Sequence, residues 1–143
     1  MNSTGSCLKG PPGSPKQRDE DGDPCENLES LRLSVFDSLL EVFKRKDIEV
    51  KAINFSTYGA SLVYINEQGH PLTPLYNYLK PYPAPLKQQF YKKYGGEAQF
   101  SLQTASPVLE SLNSGMQLYR LKHERPDVFA SMRYALHLPQ YMS

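Results

Sequence analysis

The 143-residue sequence has no tryptophan, only two cysteines and almost no net charge. Each shortage excludes something. Cys7 and Cys25 make neither a disulfide framework nor a zinc spacing, so a reduced, cytoplasmic setting is expected. Sixteen basic against fifteen acidic residues, a net +1, supply no field for broad capture of nucleic acid or an anionic membrane. Neither is expected as a partner. No apolar run approaches the ~20 residues of a membrane helix, and the opening segment lacks the apolar core of a secretory signal. The sequence also has no GxxxxGK[ST] phosphate loop, no GxGxxG and no GxSxG elbow.

Metal and nucleophile signals are equally thin. His70, His123 and His137 are isolated, and none has a second ligand at metal spacing. The acidic run Asp19, Glu20, Asp21, Asp23 lacks the spacing and distal glutamate of a calcium loop and reads as a solvated segment before a helix cap. Gly95-Gly96 follows a predicted helix rather than preceding one, which makes it a cap and not a phosphate cradle. Ser56, Thr57 and Ser61 lie near a strand end without a placed acid–base partner.

Ten tyrosines and twelve prolines are what the sequence has in excess. A tyrosine buries a large ring while its hydroxyl needs a polar partner. Dispersed through an ordered region, these tyrosines fit either a half-buried core or a polar-ligand cleft. The length suits one domain.

Residues 1–22 are rich in Gly, Pro, Ser and charge, with Leu8 the only large aliphatic after Met1. Too little apolar surface is available to offset ordering, and a disordered low-complexity tail is predicted. Order should begin at Asp23, with Pro24 at the first helical position and Glu26 completing a capping box. A helix follows, with Leu28, Leu31, Val35, Phe36, Leu39, Val42 and Phe43 on its buried stripe and Lys44, Arg45 and Lys46 in its last turn. Residues 48–55 read as a buried strand. Leu62 to Ile65 and residues 72–78 read as an antiparallel hairpin around Asn66–Gly69, with Pro71 and Pro74 restricting the return strand to an edge. Three prolines in 81–85 and its flank give an extended loop. Residues 86–94 form a short helix, 97–107 an irregular polar stretch, and 108–125 a helix stopped by Pro126. A short helical turn, a strand over 134–138 and the start of a further helix complete the chain. No repeat and no heptad run is present. The pattern is α/β or mixed α+β.

Residues 54–83, NFSTYGASLVYINEQGHPLTPLYNYLKPYP, resemble the N-terminal domain of the FGGY carbohydrate kinases, in particular their rhamnulose-kinase-like branch. Those proteins have a strand ending in a D-T-W-G-like turn, here Ser56-Thr57-Tyr58-Gly59. A hairpin then leads to a substrate loop of H-Y-R-D type, here Asn77-Tyr78-Leu79-Lys80. Residues 102–129 resemble the branch's next stretch through Gln103-Thr104, Leu112-Asn113-Ser114 and Gln117-Leu118, and residues 136–143 its following helix. The resemblance runs over 23–143 and lies in the order and spacing of these pieces.

The resemblance implies part of an actin-like (ribonuclease H-like) α/β kinase domain with an antiparallel hairpin and flanking helices. It implies ATP-dependent phosphorylation of a sugar hydroxyl, ketose or polyol, with ATP and Mg²⁺ as cofactors and a small-molecule sugar as partner. The sugar-facing candidates it carries over are Thr57, Tyr58, Gly59, Asn77, Tyr78, Lys80, Gln103, Thr104, Asn113 and Gln117. The family's D-x-G-T phosphate loop has no counterpart in 1–22, and its catalytic aspartate and second domain have no counterpart here either. Its acidic sugar-loop residue is replaced by Lys80. The chain is therefore expected to be a fragment without activity of its own, with no catalytic and no metal residue. The alternatives are a non-catalytic sugar-binding or regulatory protein and an unrelated interaction domain. Self-association through an unpaired sheet edge is expected at 48–55 or the hairpin.

Overall fold

The computed structural model describes residues 17–143. Over these residues the chain is mixed α/β, with small antiparallel sheets and six α-helices. The elements run β1 (Gln17–Arg18), β2 (Pro24–Glu26), α1 (Leu28–Phe43), β3 (Leu62–Ile65), β4 (Leu75–Tyr76), α2 (Ala84–Lys93) and α3 (Glu97–Thr104). A 3-10 turn, Glu110–Leu112, leads into α4 (Ser114–Glu124), α5 (Pro126–Ser131), β5 (Tyr134–His137) and α6 (Leu138–Met142). One sheet has the order β1-β2-β4 and the other pairs β3 with β5.

β3 is the structural centre. All four of its residues are buried, because both of its faces are covered. Val63 and Ile65 point to one side and pack with Leu28, Leu75 and Leu138. Leu62 and Tyr64 point to the other and pack with Leu121 and Val128 from α4 and α5. A strand covered on both faces reads as a continuous apolar run rather than an alternation, and LVYI is such a run. Its edge is satisfied by β5 in antiparallel register, Leu62 opposite His137 and Ile65 opposite Tyr134. A third core lies apart, where Tyr82, Leu86, Tyr91 and Met116 pack against Phe90, Phe100 and Tyr119.

Several expectations hold: α2 closed by Gly95-Gly96, both at positive φ, together with α5, β5 and α6. Of the helix expected over 108–125 only the part from Ser114 forms, as α4, because the chain is extended at Asn113 after the separate 3-10 turn. Others do not. Residues 1–16 of the expected tail lie outside the described residues. Residues 17–22 belong to the folded body: β1 pairs with β2 (Gln17 opposite Cys25), and Asp19 is buried. The first helix starts at Leu28, where Asn27 Oδ1 accepts from the Ser30 N–H at 2.8 Å. Pro24–Glu26 is drawn instead into the sheet, where Glu26 stands opposite Leu75. That pairing sets Cys25 inward and takes Asp23 away from any helix terminus.

The expected stripe of α1 is only partly covered. Leu28 is buried, but Phe36 is 51% and Phe43 54% exposed. The helix stops before Lys44, so its last turn holds no basic side chain. Residues 48–55 form no strand, and Ile48, Val50 and Ile53 are exposed. The hairpin is reduced to a turn and one bridge, Ile65 with Pro71. Asn66 Oδ1 caps that turn by accepting from the N–H groups of Gln68 and His70. Pro74 then ends any return pairing, and β4 joins the other sheet. Residues 97–104 are helical because Phe100 packs into the third core.

Candidate functional site

A cleft of about 340 Å³ opens between the 19–23 turn, the end of β4 with its following loop, and the polar face of α4. Its floor is Tyr64 and Leu121, both buried. Its rim is almost entirely charged or amide-bearing: Glu20, Asp21, Asn77, Lys80, Gln117, Arg120, Glu124 and Arg125.

The 19–23 turn is built around one lysine. Asp19 Oδ1 accepts from the N–H of Asp21 at 3.0 Å and of Asp23 at 2.9 Å. Gly22, at φ +83, lets the chain turn back. The other Asp19 oxygen accepts from Lys80 Nζ. That ammonium also donates to Asp21 Oδ2 at 2.7 Å and lies 3.5 Å from Asp23. The side chains of Lys80 and Asp19 are 7% and 0% exposed. Burial alone would raise the Asp19 carboxyl, but the Lys80 bond and the two backbone N–H groups outweigh it and hold it below its ordinary range. Burial likewise works against the Lys80 ammonium, and its bonds to Asp19 and Asp21 reverse that and raise it.

The other cations are matched in the same way. Arg120 donates to Asp21 at 3.1 Å, to the Pro81 carbonyl at 2.9 Å and to Glu124. Arg125 donates to Glu20, which also accepts from the Tyr76 hydroxyl. Burial first and the Glu20 bond second raise the Tyr76 phenol. The result is a lattice of carboxylates and guanidinium groups with one ammonium at its centre, a surface able to exchange hydrogen bonds with several hydroxyls at once.

The carboxylates of Asp19, Asp21 and Asp23 lie within 4.8 Å of one another. Their centre already holds the Lys80 ammonium, so they do not fit a divalent ion. Nor is there a phosphate cradle among the described glycines: except at Gly95, where the neighbour is the Gln99 side chain, an added Cβ would meet open space. The acidic turn therefore does not fit Mg²⁺, and no described glycine marks a phosphate cradle.

The ten sugar-facing candidates separate into groups. Asn77, Lys80 and Gln117 line the cleft. Lys80 is buried there. Gln117 Nε2 donates to the carbonyls of Ala60, at 2.7 Å, and Ser111, tying the strand-end turn to α4. Tyr58 and Tyr78 stack at 5.3 Å, with Tyr58 65% exposed beside exposed Thr57 and Gly59. Thr104 and Asn113 line a second, aromatic hollow of about 240 Å³. Asn113 organises the loop before α4: its Oδ1 accepts from Leu109 N–H at 2.7 Å and its Nδ2 donates to Pro107 O at 3.1 Å. Gln103 is exposed on α3.

Sequence reasoning missed Glu20, Asp21, Tyr64, Tyr76, Arg120, Glu124 and Arg125. The spacing of Arg120 and Glu124, one turn apart on the polar face of a predicted helix, is a readable signal. The acidic turn is not, because its partners lie 56 to 105 residues away.

No family model matches the sequence. Over 123 residues it is 24% identical to the rhamnulokinase of Halalkalibacterium halodurans, a match covering 86% of this chain and 26% of that protein. The chain is distantly similar to a carbohydrate kinase. It spans about a quarter of that relative's length. No described helix is long and apolar enough to cross a membrane.

Proposed function

We propose that this chain is a sugar-binding piece of the FGGY carbohydrate-kinase lineage, derived from an actin-like first domain, and that it holds a ketose or polyol without phosphorylating it. The observation that carries this reading is the cleft. In a chain similar to a sugar kinase, it sets carboxylates, guanidinium groups and amides around a half-apolar floor. Alternating donors and acceptors suit a polyhydroxylated ligand, and the Tyr64 and Leu121 floor suits the apolar face of a sugar ring.

In the lineage, ATP and Mg²⁺ supply the phosphoryl group and neutralise its charge. Here Lys80, Arg120 and Arg125 are each bonded to carboxylates of the same chain. That favours holding hydroxyls over holding phosphates, and so a binding or regulatory role over a catalytic one. A self-contained catalytic role would need a phosphate cradle and metal ligands, which positioning and electrostatics make indispensable. Asn77, Lys80 and Gln117, with Arg120 and Glu124, are the sugar-facing set of this proposal. Lys80 acts through Asp21 rather than by direct contact.

Isothermal titration over a panel of ketoses and polyols tests the reading. Binding in the ~1 mM range is expected, since an open cleft leaves much of a small ligand in water. Glu124→Gln should weaken it several-fold. Absence of heat with every sugar at tens of millimolar would sink the proposal. In a coupled ADP-release assay the chain alone should give no turnover, and a rate near ~1 s⁻¹, ordinary for a kinase, would overturn the non-catalytic part.

A further inference from the structure

We propose that two copies of this chain associate in parallel through the outer face of α1. Leu33, Phe36, Leu40 and Phe43 are 49%, 51%, 54% and 54% exposed. They recur at steps of three, four and three residues, the spacing that places knobs along a two-stranded seam. With Leu33 and Leu40 as one row and Phe36 and Phe43 as the other, the seam is two heptads long. At its N-terminal end it meets Glu29, and past Phe43 the helix itself ends, which is why it is too short to register as a heptad run in the sequence. The opposite side of α1 is the one that faces the core, through Leu28 and Leu31. The seam is therefore surplus to the fold of the described residues.

A contiguous apolar stripe of this kind on a helix marks an interaction surface. Residues 1–16 offer Leu8 as their only large aliphatic after Met1, too little to cover four large side chains. The flanking charges select a second copy and its orientation. Arg32 lies on one side of the seam and Asp37 on the other, five residues on. In a parallel pair, residues so placed meet across the interface, Arg32 of each copy with Asp37 of its partner, twice by symmetry. In an antiparallel pair that stacks Leu33 on Phe43, Asp37 would instead face its own copy. In the parallel pair the two Glu29 side chains lie at the exposed end of the seam, each beside its own Arg32. Arg32 now pairs with Glu29 at 2.6 Å on the helix surface and lies 5.3 Å from the Phe36 ring centre. Exposed pairs of that kind are weak and exchange readily.

Sedimentation velocity of the full 143-residue chain over a concentration series tests this, with circular dichroism to check that each variant folds. A dimer is expected, and Leu33→Glu with Leu40→Glu should turn it to monomer. Because those positions are exposed, the variant keeps its fold. Arg32→Asp alone should weaken association about tenfold, and Arg32→Asp with Asp37→Arg should restore it. A monomer at every concentration would overturn the proposal and assign the face to a different polypeptide. A dimer that survives both Leu substitutions would overturn it as well. Failure of the double charge reversal to restore association would overturn the parallel orientation. None of these outcomes depends on sugar binding at the cleft.

Discussion

Residues 62–65 and residues 48–55 are made of the same kind of side chain, and the fold treats them in opposite ways. In β3, exposure runs from 2% to 9%. Upstream of it, Ile48, Val50 and Ile53 are 43%, 38% and 47% exposed. β3 has β5 along one edge and a hydrophobic cluster on each face. The 48–55 segment pairs with no strand among the described residues. β-branched and apolar residues fit a pleated, half-buried surface, but they do not create the neighbour that completes it. Pairing partner and covering face decide which segment becomes a strand.

The sharpest test of that contrast is truncation. Tyr64→Ala should cost about 3–5 kcal/mol, the range for emptying a buried aromatic site, whereas Ile53→Ala should stay within about 0.5 kcal/mol. Equal shifts in urea midpoints would abolish the distinction. Lys80→Met should cost roughly 3 kcal/mol, because it strands the fully buried Asp19 carboxylate without its cation. Adding Asp19→Asn to that variant should recover part of the loss.

The same pair gives an acid limit. Asp19 binds its proton less readily when folded than its ordinary value of 3.8 implies. Its contribution is thus complete above that value and is lost as pH falls through the lower folded value. Thermal melts of the wild-type chain should carry a destabilisation below pH 3.8 that Asp19→Asn lacks. An acid step equally large in both would remove Asp19 from the account. Phe36→Ala should cost at most about 1 kcal/mol, as for a half-exposed ring, and its measurement separates the outer face of α1 from a true core.

The parts of the fold legible in the sequence are those decided locally. α2 announces itself by its Gly95-Gly96 stop, α4 by Pro126 beyond its end, and β5 by its short β-prone run. What escaped was decided at a distance. The 17–22 segment has no apolar content to mark it as ordered, yet it is held by ion pairs to Lys80 and Arg125. Pro24 and Glu26 fit a helix start as well as a strand, and only β4 resolves them. At the cleft, Asn77, Lys80 and Gln117 were legible through resemblance, but the charges facing them were not. Spacing reports a neighbour one helical turn away and is silent about one a hundred residues away.

The acidic turn carries a consequence for the order of folding. Its ties to Lys80, Arg120 and Arg125 span 61, 99 and 105 residues. Closing loops of that length costs chain entropy before any bond compensates it. During synthesis from the N-terminus, the turn can meet Lys80 well before α4 exists, but its ties to Arg120 and Arg125 wait until α4 and the residue after it have emerged. The docking of these first described residues is thus completed late, by the far end of the chain.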